Sequence, residues 1–166
     1  YDPSEAQRRK VAEKFGIRTA ESNIAVAGEA DYLVLAVKPF VYADVLREIA
    51  GHTKKDVIVI VIAVGVEFSD VKDILGKDTK VIRTQPSTPA FVGESDSTVC
   101  PDELMTEQDI EEVMTIFKSF GRVEIISEKL MNVVPSIASS APAYTMLLIE
   151  AMADGGVLHG FPRDQA

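Results

Sequence analysis

The stretch "VIVIVIA", Val57 to Ala63, contains no polar residue and alternates Val with Ile. An amphipathic helix would place apolar residues at every third or fourth position, and a half-exposed strand at every second. An unbroken β-branched run instead reads as a strand covered on both faces, which is the habit of parallel sheets in α/β folds. Tyr32-Leu33-Val34-Leu35-Ala36-Val37, stopped by Lys38-Pro39, is a second such run, and Val81 to Thr84 is a third. Between them lie helical segments: Ser4 to Phe15 ahead of Gly16, a short turn from Glu21 to Ala27, Val41 to Ala50, and Phe68 to Leu75 ahead of Gly76. Strands alternating with helices through short links imply right-handed crossovers and a sheet with helices on both faces.

The pattern then changes. Thr98 to Cys100 reads as a short strand, Thr106 to Phe120 as an amphipathic helix closed by Gly121, and Arg122 to Ile126 as a last strand. After Ser127 only helices are expected, from Glu128 to about Ile137 and again after Pro142, with a kink or break at Pro135. The fold class is therefore α/β, a Rossmann-type mostly parallel sheet followed by the start of an all-helical domain. The expected division is 1–126 and 127–166.

The bulk properties narrow the function. The chain has 166 residues, 46% of them hydrophobic, and a net charge of −9. Nucleic-acid binders concentrate positive charge, so a polyanion partner is not expected. The one basic run, Arg8-Arg9-Lys10, is flanked by Glu5 and Glu13 and reads as a solvated helix face. The longest apolar run, Val57 to Val66, is short of the ~20 residues that span a bilayer, so no membrane association is expected. A single cysteine, Cys100, cannot form an internal disulfide and suits a reducing, cytoplasmic compartment. No metal site is expected. The chain opens on Tyr1 and closes on what reads as the beginning of a helix, so both ends look cut from a longer protein.

In an open parallel sheet, ligands sit beyond the C-terminal ends of the strands. Those ends here are Ala36-Val37-Lys38-Pro39, Ala63-Val64-Gly65 and Gln85-Pro86-Ser87-Thr88-Pro89. Small residues and glycine let a flat ligand approach the backbone, and the prolines stiffen the turns. No G-x-G-x-x-G occurs. Yet Tyr1-Asp2-Pro3-Ser4 ahead of a helix resembles the end of a second Rossmann strand, with the glycine loop then expected upstream. Asp2 would bond an adenosine ribose, the arrangement that suits NAD, or would simply cap the helix.

Five motifs carry a resemblance to a known family. Ala36-Val37-Lys38-Pro39, Val81 to Pro89, Phe120-Gly121, Ser140-Ala141-Pro142-Ala143-Tyr144 and Ala153-Asp154-Gly155-Gly156-Val157 follow the order and spacing of pyrroline-5-carboxylate reductases. Each is weak alone; the ordered set is specific. The resemblance implies a Rossmann domain binding NADPH or NADH, a helical dimerisation domain giving a homodimer or higher homo-oligomer, and hydride transfer to the imine carbon of 1-pyrroline-5-carboxylate, the last step of proline biosynthesis. It implies that Asp2, Ser4, Asn23, Ala36, Val37, Lys38, Pro39, Ala63, Val64 and Gly65 line the cofactor site. Ser87 and Thr88 would lie beside the nicotinamide as the catalytic pair. The chain departs from the family pattern where Gln85 and Ser87 stand for Met and Asn, and where Ser139 and Ala141 stand for glycines. Two other readings are a related hydroxy-acid dehydrogenase, for which Lys129 is the only lysine after the boundary, and a non-catalytic interaction module.

Overall fold

The structure is a computed structural model and describes residues 1–166. Five strands form one sheet in the order β1 (Tyr32–Leu35), β2 (Ile58–Val61), β3 (Lys80–Gln85), β4 (Ser95–Pro101), β5 (Gly121–Ile125). β1, β2 and β3 are mutually parallel; β4 runs antiparallel to β3, and β5 is parallel to β4. The reversal follows from the connections. A short loop, residues 86–94, joins β3 to β4 at one end of the sheet and permits only an antiparallel return. The helix α5 (Glu107–Lys118) then forms the crossover that brings β5 in parallel with β4.

The two faces have separate cores. On one, Leu33, Leu35, Val59, Val61 and Val81 pack against Leu46 and Ile49 of α3 (Tyr42–Ile49), Val71 of α4 (Phe68–Leu75) and Ala27 of α2 (Asn23–Glu29). On the other, Ile58, Ile60, Ile82 and Val99 pack against Val113 and Phe117 of α5. Each buried Ile, Val or Leu removes enough apolar surface to contribute about 1.5–3 kcal/mol. β2 is buried at all four positions. β1 departs from the expectation of complete burial: it is an edge strand, and Val34, on the face where α5 packs against β2, β3 and β4, is 47% exposed.

Local rules set the boundaries. Ser4 caps α1 (Glu5–Phe15), its hydroxyl accepting from the Gln7 amide, and Gly16 closes the helix at φ 63°. Asp2 is thus not the cap; its Oδ1 accepts from the Ser4 amide at 2.8 Å. Thr106 and Asp109 form a reciprocal capping box at the start of α5. β4 extends beyond the expected Thr98–Cys100 segment, since Ser95 and Ser97 are buried polar residues within it. After β5 the chain is helical: α6 (Glu128–Met131), a π-type turn over Pro135–Ser139, and α7 (Ala141–Leu158). The break falls at Pro135, as its missing N–H requires.

Gly121 opens β5 opposite Ser95. A Cβ at this position would run into the backbone of Ser95, and φ is 156°. A Gly121→Ala substitution should therefore separate β4 from β5 and destabilise the fold by about 3 kcal/mol, as overpacking against rigid backbone does. Urea denaturation of the variant beside the parent chain measures the loss.

Candidate functional site

The three parallel strands end at one edge, and the residues past them make the candidate site. Tyr42 organises its base. The side chain is buried, and its hydroxyl donates to the Leu35 carbonyl at 2.5 Å. Burial pushes the Tyr42 hydroxyl up to about 12, against the opposing pull of backbone hydrogen bonds from Ile62 and Ala63. One phenol therefore joins the end of β1 to the end of β2, where the turns Ala36–Pro39 and Ala63–Gly65 begin.

The third turn is held from inside. The Ser87 hydroxyl accepts from the Asp96 amide at 2.9 Å and lies 3.4 Å from Ser95 Oγ, which is 2.9 Å from Ser97 Oγ. The Ser87 amide donates to Ser95 Oγ at 3.1 Å. These three hydroxyls are buried, so Ser87 is turned into the loop rather than toward the cleft. Thr88 is exposed and opens a 3-10 turn, Thr88–Val92, that Gly93 ends at φ 78°. Phe91 on this turn is 94% exposed.

Asp2, Asn23, Ala36 and Val37 line one mostly apolar groove of about 440 Å³. Glu48 lines it too and accepts from Asn23 Nδ2 at 2.8 Å. Pro39 and Gly65 line a second groove, of about 430 Å³, beside Tyr42, Arg47 and Asp70. Lys38, Ala63, Val64, Ser87 and Thr88 lie along the same edge and line neither groove, and Ser4 is occupied as the cap of α1. Gly65 has φ 80°, and a Cβ there would meet nothing, so the left-handed backbone demands glycine and the space beside it is open. Two arginines of α1 follow Asp2 in the chain, and only the second is ion-paired. Arg8 donates to the Asp2 carbonyl and lies over the Tyr1 ring at 5.4 Å, and Arg9 pairs with Glu13 at 2.9 Å.

Sequence reasoning missed Glu48, Tyr42 and Arg83, and it placed Gln85 in the turn after β3 without foreseeing its burial. A charged residue inside an apolar strand was the available signal for Arg83. Cys100 is buried; burial pushes its thiol up, the Glu128 and Asp102 charges push the same way, and Arg83 opposes them. That is the environment of a packing cysteine and not of a nucleophile.

A family model described as pyrroline-5-carboxylate reductase dimerisation matches residues 128–166, and one described as NADP oxidoreductase coenzyme F420-dependent matches residues 1–65. The pyrroline-5-carboxylate reductase of Escherichia coli (strain K12) is 42% identical over the whole chain, which spans 62% of that relative's length. The Arabidopsis thaliana enzyme of the same name is 36% identical over 98% of the chain and 59% of its own length. Among solved structures, the pyrroline carboxylate reductase of Plasmodium falciparum with NADP bound superposes with a TM-score of 0.88 at 30% identity, covering 99% of this chain and 60% of that one. Prephenate dehydrogenase from Aquifex aeolicus, at 16% identity and a TM-score of 0.67 over 96% of this chain and 67% of its own, shares the fold.

The Tyr42 hydroxyl yields a pH prediction. A folded-state value near 12 against 10.0 for the free group means that the unfolded chain ionises first. The unfolded state then holds fewer protons, so stability falls as pH rises between about 10 and 12. A Tyr42→Phe variant should lose this part of the alkaline slope. It should also be about 1–3 kcal/mol less stable at neutral pH, because buried backbone groups lose their partner. Thermal melts from neutral pH through the alkaline range test both.

Proposed function

We propose, for a chain homologous to the pyrroline-5-carboxylate reductases along its whole length, that it forms the cofactor-binding region and the start of the dimerisation region of an imine reductase. The reaction is reduction of 1-pyrroline-5-carboxylate to proline with a hydride from NADPH or NADH. The observation that carries the reading is the common edge. Three turns of small residues and prolines meet beyond parallel strands, and the last is rigidified by a buried hydroxyl network rather than armed with a nucleophile. A protonated cyclic imine is already electrophilic, so positioning matters more than activation. The nicotinamide supplies the hydride when bound.

The residues present fit such a cofactor. The groove beside Asp2 is mostly apolar with two carboxylates on its wall, Asp2 and Glu48, and the second is engaged by Asn23, which leaves Asp2 for an adenosine ribose. Ala36, Ala63 and Gly65 leave the backbone approachable, and Pro86 to Pro89 would carry the face on which the imine is set. Ser87 keeps that loop in shape through Asp96 and Ser95, while Thr88 is the member of the pair that can reach a ligand. The division at 126/127 separates the cofactor-binding part from the helical part. The dimerisation match over residues 128–166 and the exposed apolar length of α7 support a homo-oligomer. The compartment that suits it is the cytoplasm.

Nucleotide oxidation and proline formation by the complete enzyme with 1-pyrroline-5-carboxylate test the reading; no turnover with either nucleotide sinks it. Asp2 should favour NADH, since its carboxylate repels a 2′-phosphate, with the Arg8 guanidinium held on the Asp2 carbonyl as the opposing charge. Asp2→Ser should raise the NADPH to NADH ratio of kcat/KM by about tenfold, the effect of removing one like charge at a partly screened distance. Assembly is tested by light scattering. Ile149→Asp on α7 should convert the oligomer to monomer at low micromolar concentration with little change in the far-ultraviolet circular dichroism.

A further inference from the structure

Arg83 and Gln85 stand two positions apart on β3 and so share one face. They are 3% and 7% exposed. A buried guanidinium and a buried amide must find partners or destabilise the fold. Both find them on the same distant stretch of chain. Arg83 Nη1 donates to Glu128 Oε1 at 3.2 Å, and Nη2 to Asn132 Oδ1 at 3.0 Å. Gln85 Nε2 donates to Ser139 Oγ at 3.1 Å. The Phe68 ring of α4 lies 6.0 Å from the guanidinium. On β4, Cys100 is the register partner of Arg83 and Thr98 that of Gln85, and Thr98 Oγ1 is buried without a partner. The sheet thus carries a polar stripe beneath α6 and the π-type turn, whereas β2 buries only apolar residues.

We propose that Arg83 and Gln85 are positioning residues that tie the sheet to the helical region at two points, and so fix where the first turn of α7 stands relative to the Pro86–Pro89 loop. The inference rests on the imine-reductase reading for its kinetic consequence. Its geometry is direct. Gln85 is the residue before Pro86, and Ser139 is the residue before the N-cap of α7, so one hydrogen bond sits at the root of both segments. The turn around Pro135, the weakest point of the helical backbone, lies between the two ties and is held at each end. Neither tie lines the grooves that carry the cofactor residues. Loosening them should therefore misplace the imine against the nucleotide without weakening nucleotide binding.

The test is a double-mutant cycle in the complete enzyme with Gln85→Met and Ser139→Ala. Each single variant should lower kcat by about tenfold and leave KM for the nucleotide within about twofold, because a misplacement near 1 Å costs rate rather than cofactor affinity. The double variant should be no worse than the weaker single, since both remove one bond. Ser139→Thr, which keeps the hydroxyl, should retain kcat. Additive losses, a raised nucleotide KM, or unchanged kcat in Ser139→Ala would overturn the proposal. If the parent enzyme itself fails to reduce the imine, the functional reading falls, and hydrogen exchange still decides the tie. Faster exchange across residues 128–140 in Ser139→Ala supports it, and unchanged exchange refutes it.

Discussion

β2 constrains everything else in the molecule. Its four residues are buried on both faces, so neither face can meet water, and both edges must be hydrogen-bonded. Two parallel strands satisfy the edges. Parallel strands need crossovers, the crossovers are helices, and the helices supply the cover that the faces require. The same geometry fixes the site. Once β1, β2 and β3 point the same way, their trailing turns share one edge, and residues from three separated stretches of sequence become neighbours. Tyr42 shows how closely the core and the site are joined, for its ring fills the first core while its hydroxyl bridges the ends of β1 and β2.

Much of this was legible where the chain is apolar. Val57 to Ala63 and Tyr32 to Val37 announce strands because only a doubly covered strand tolerates such runs. The helix from Phe68 to Leu75 is legible from its glycine stop, and the break at Pro135 from the proline. The first half of β4 was not legible. Ser95, Asp96 and Ser97 lie outside the expected Thr98–Cys100 strand, yet Ser95 and Ser97 are buried because the hydroxyls satisfy one another and the Ser87 amide. Val34 failed in the other direction, since an apolar residue does not say whether its strand stands at the edge of the sheet.

The site was legible as an edge and not as a set of contacts. Ala36, Val37, Asn23 and Asp2 do meet in one groove, although Asp2 and Ala36 are far apart in sequence. The inward turn of Ser87 was not readable, because it depends on the backbone amide of Asp96 coming back beside it. Gln85 and Ser139 were noticed separately, each as a departure from the family's motif. Their hydrogen bond spans 54 residues, and nothing local links them. Seen together, the two departures form a matched pair, an amide meeting a hydroxyl.

α7 is the least covered helix of the helical region. It buries none of its own residues, and Met146 and Met152 are 67% and 69% exposed. Leu147, Leu148 and Ile149 are exposed between them, so the apolar surface runs around the helix and not along one stripe. An apolar stripe could be covered by one neighbouring element. A helix apolar all round needs cover on several sides, and the sheet, already covered by α3, α4 and α5, has no free apolar layer near enough to supply it. Cover from a second copy would bring two such helices together and exclude water from both. Because α7 leaves the sheet at Ser140, next to the bond between Ser139 and Gln85, its root is anchored to the cofactor-binding part while its length is committed elsewhere. The polar stripe on β3 and the apolar surface of α7 are therefore complementary: the first bonds the root of the helix to the sheet, and the second leaves its length with a surface that a second copy would cover.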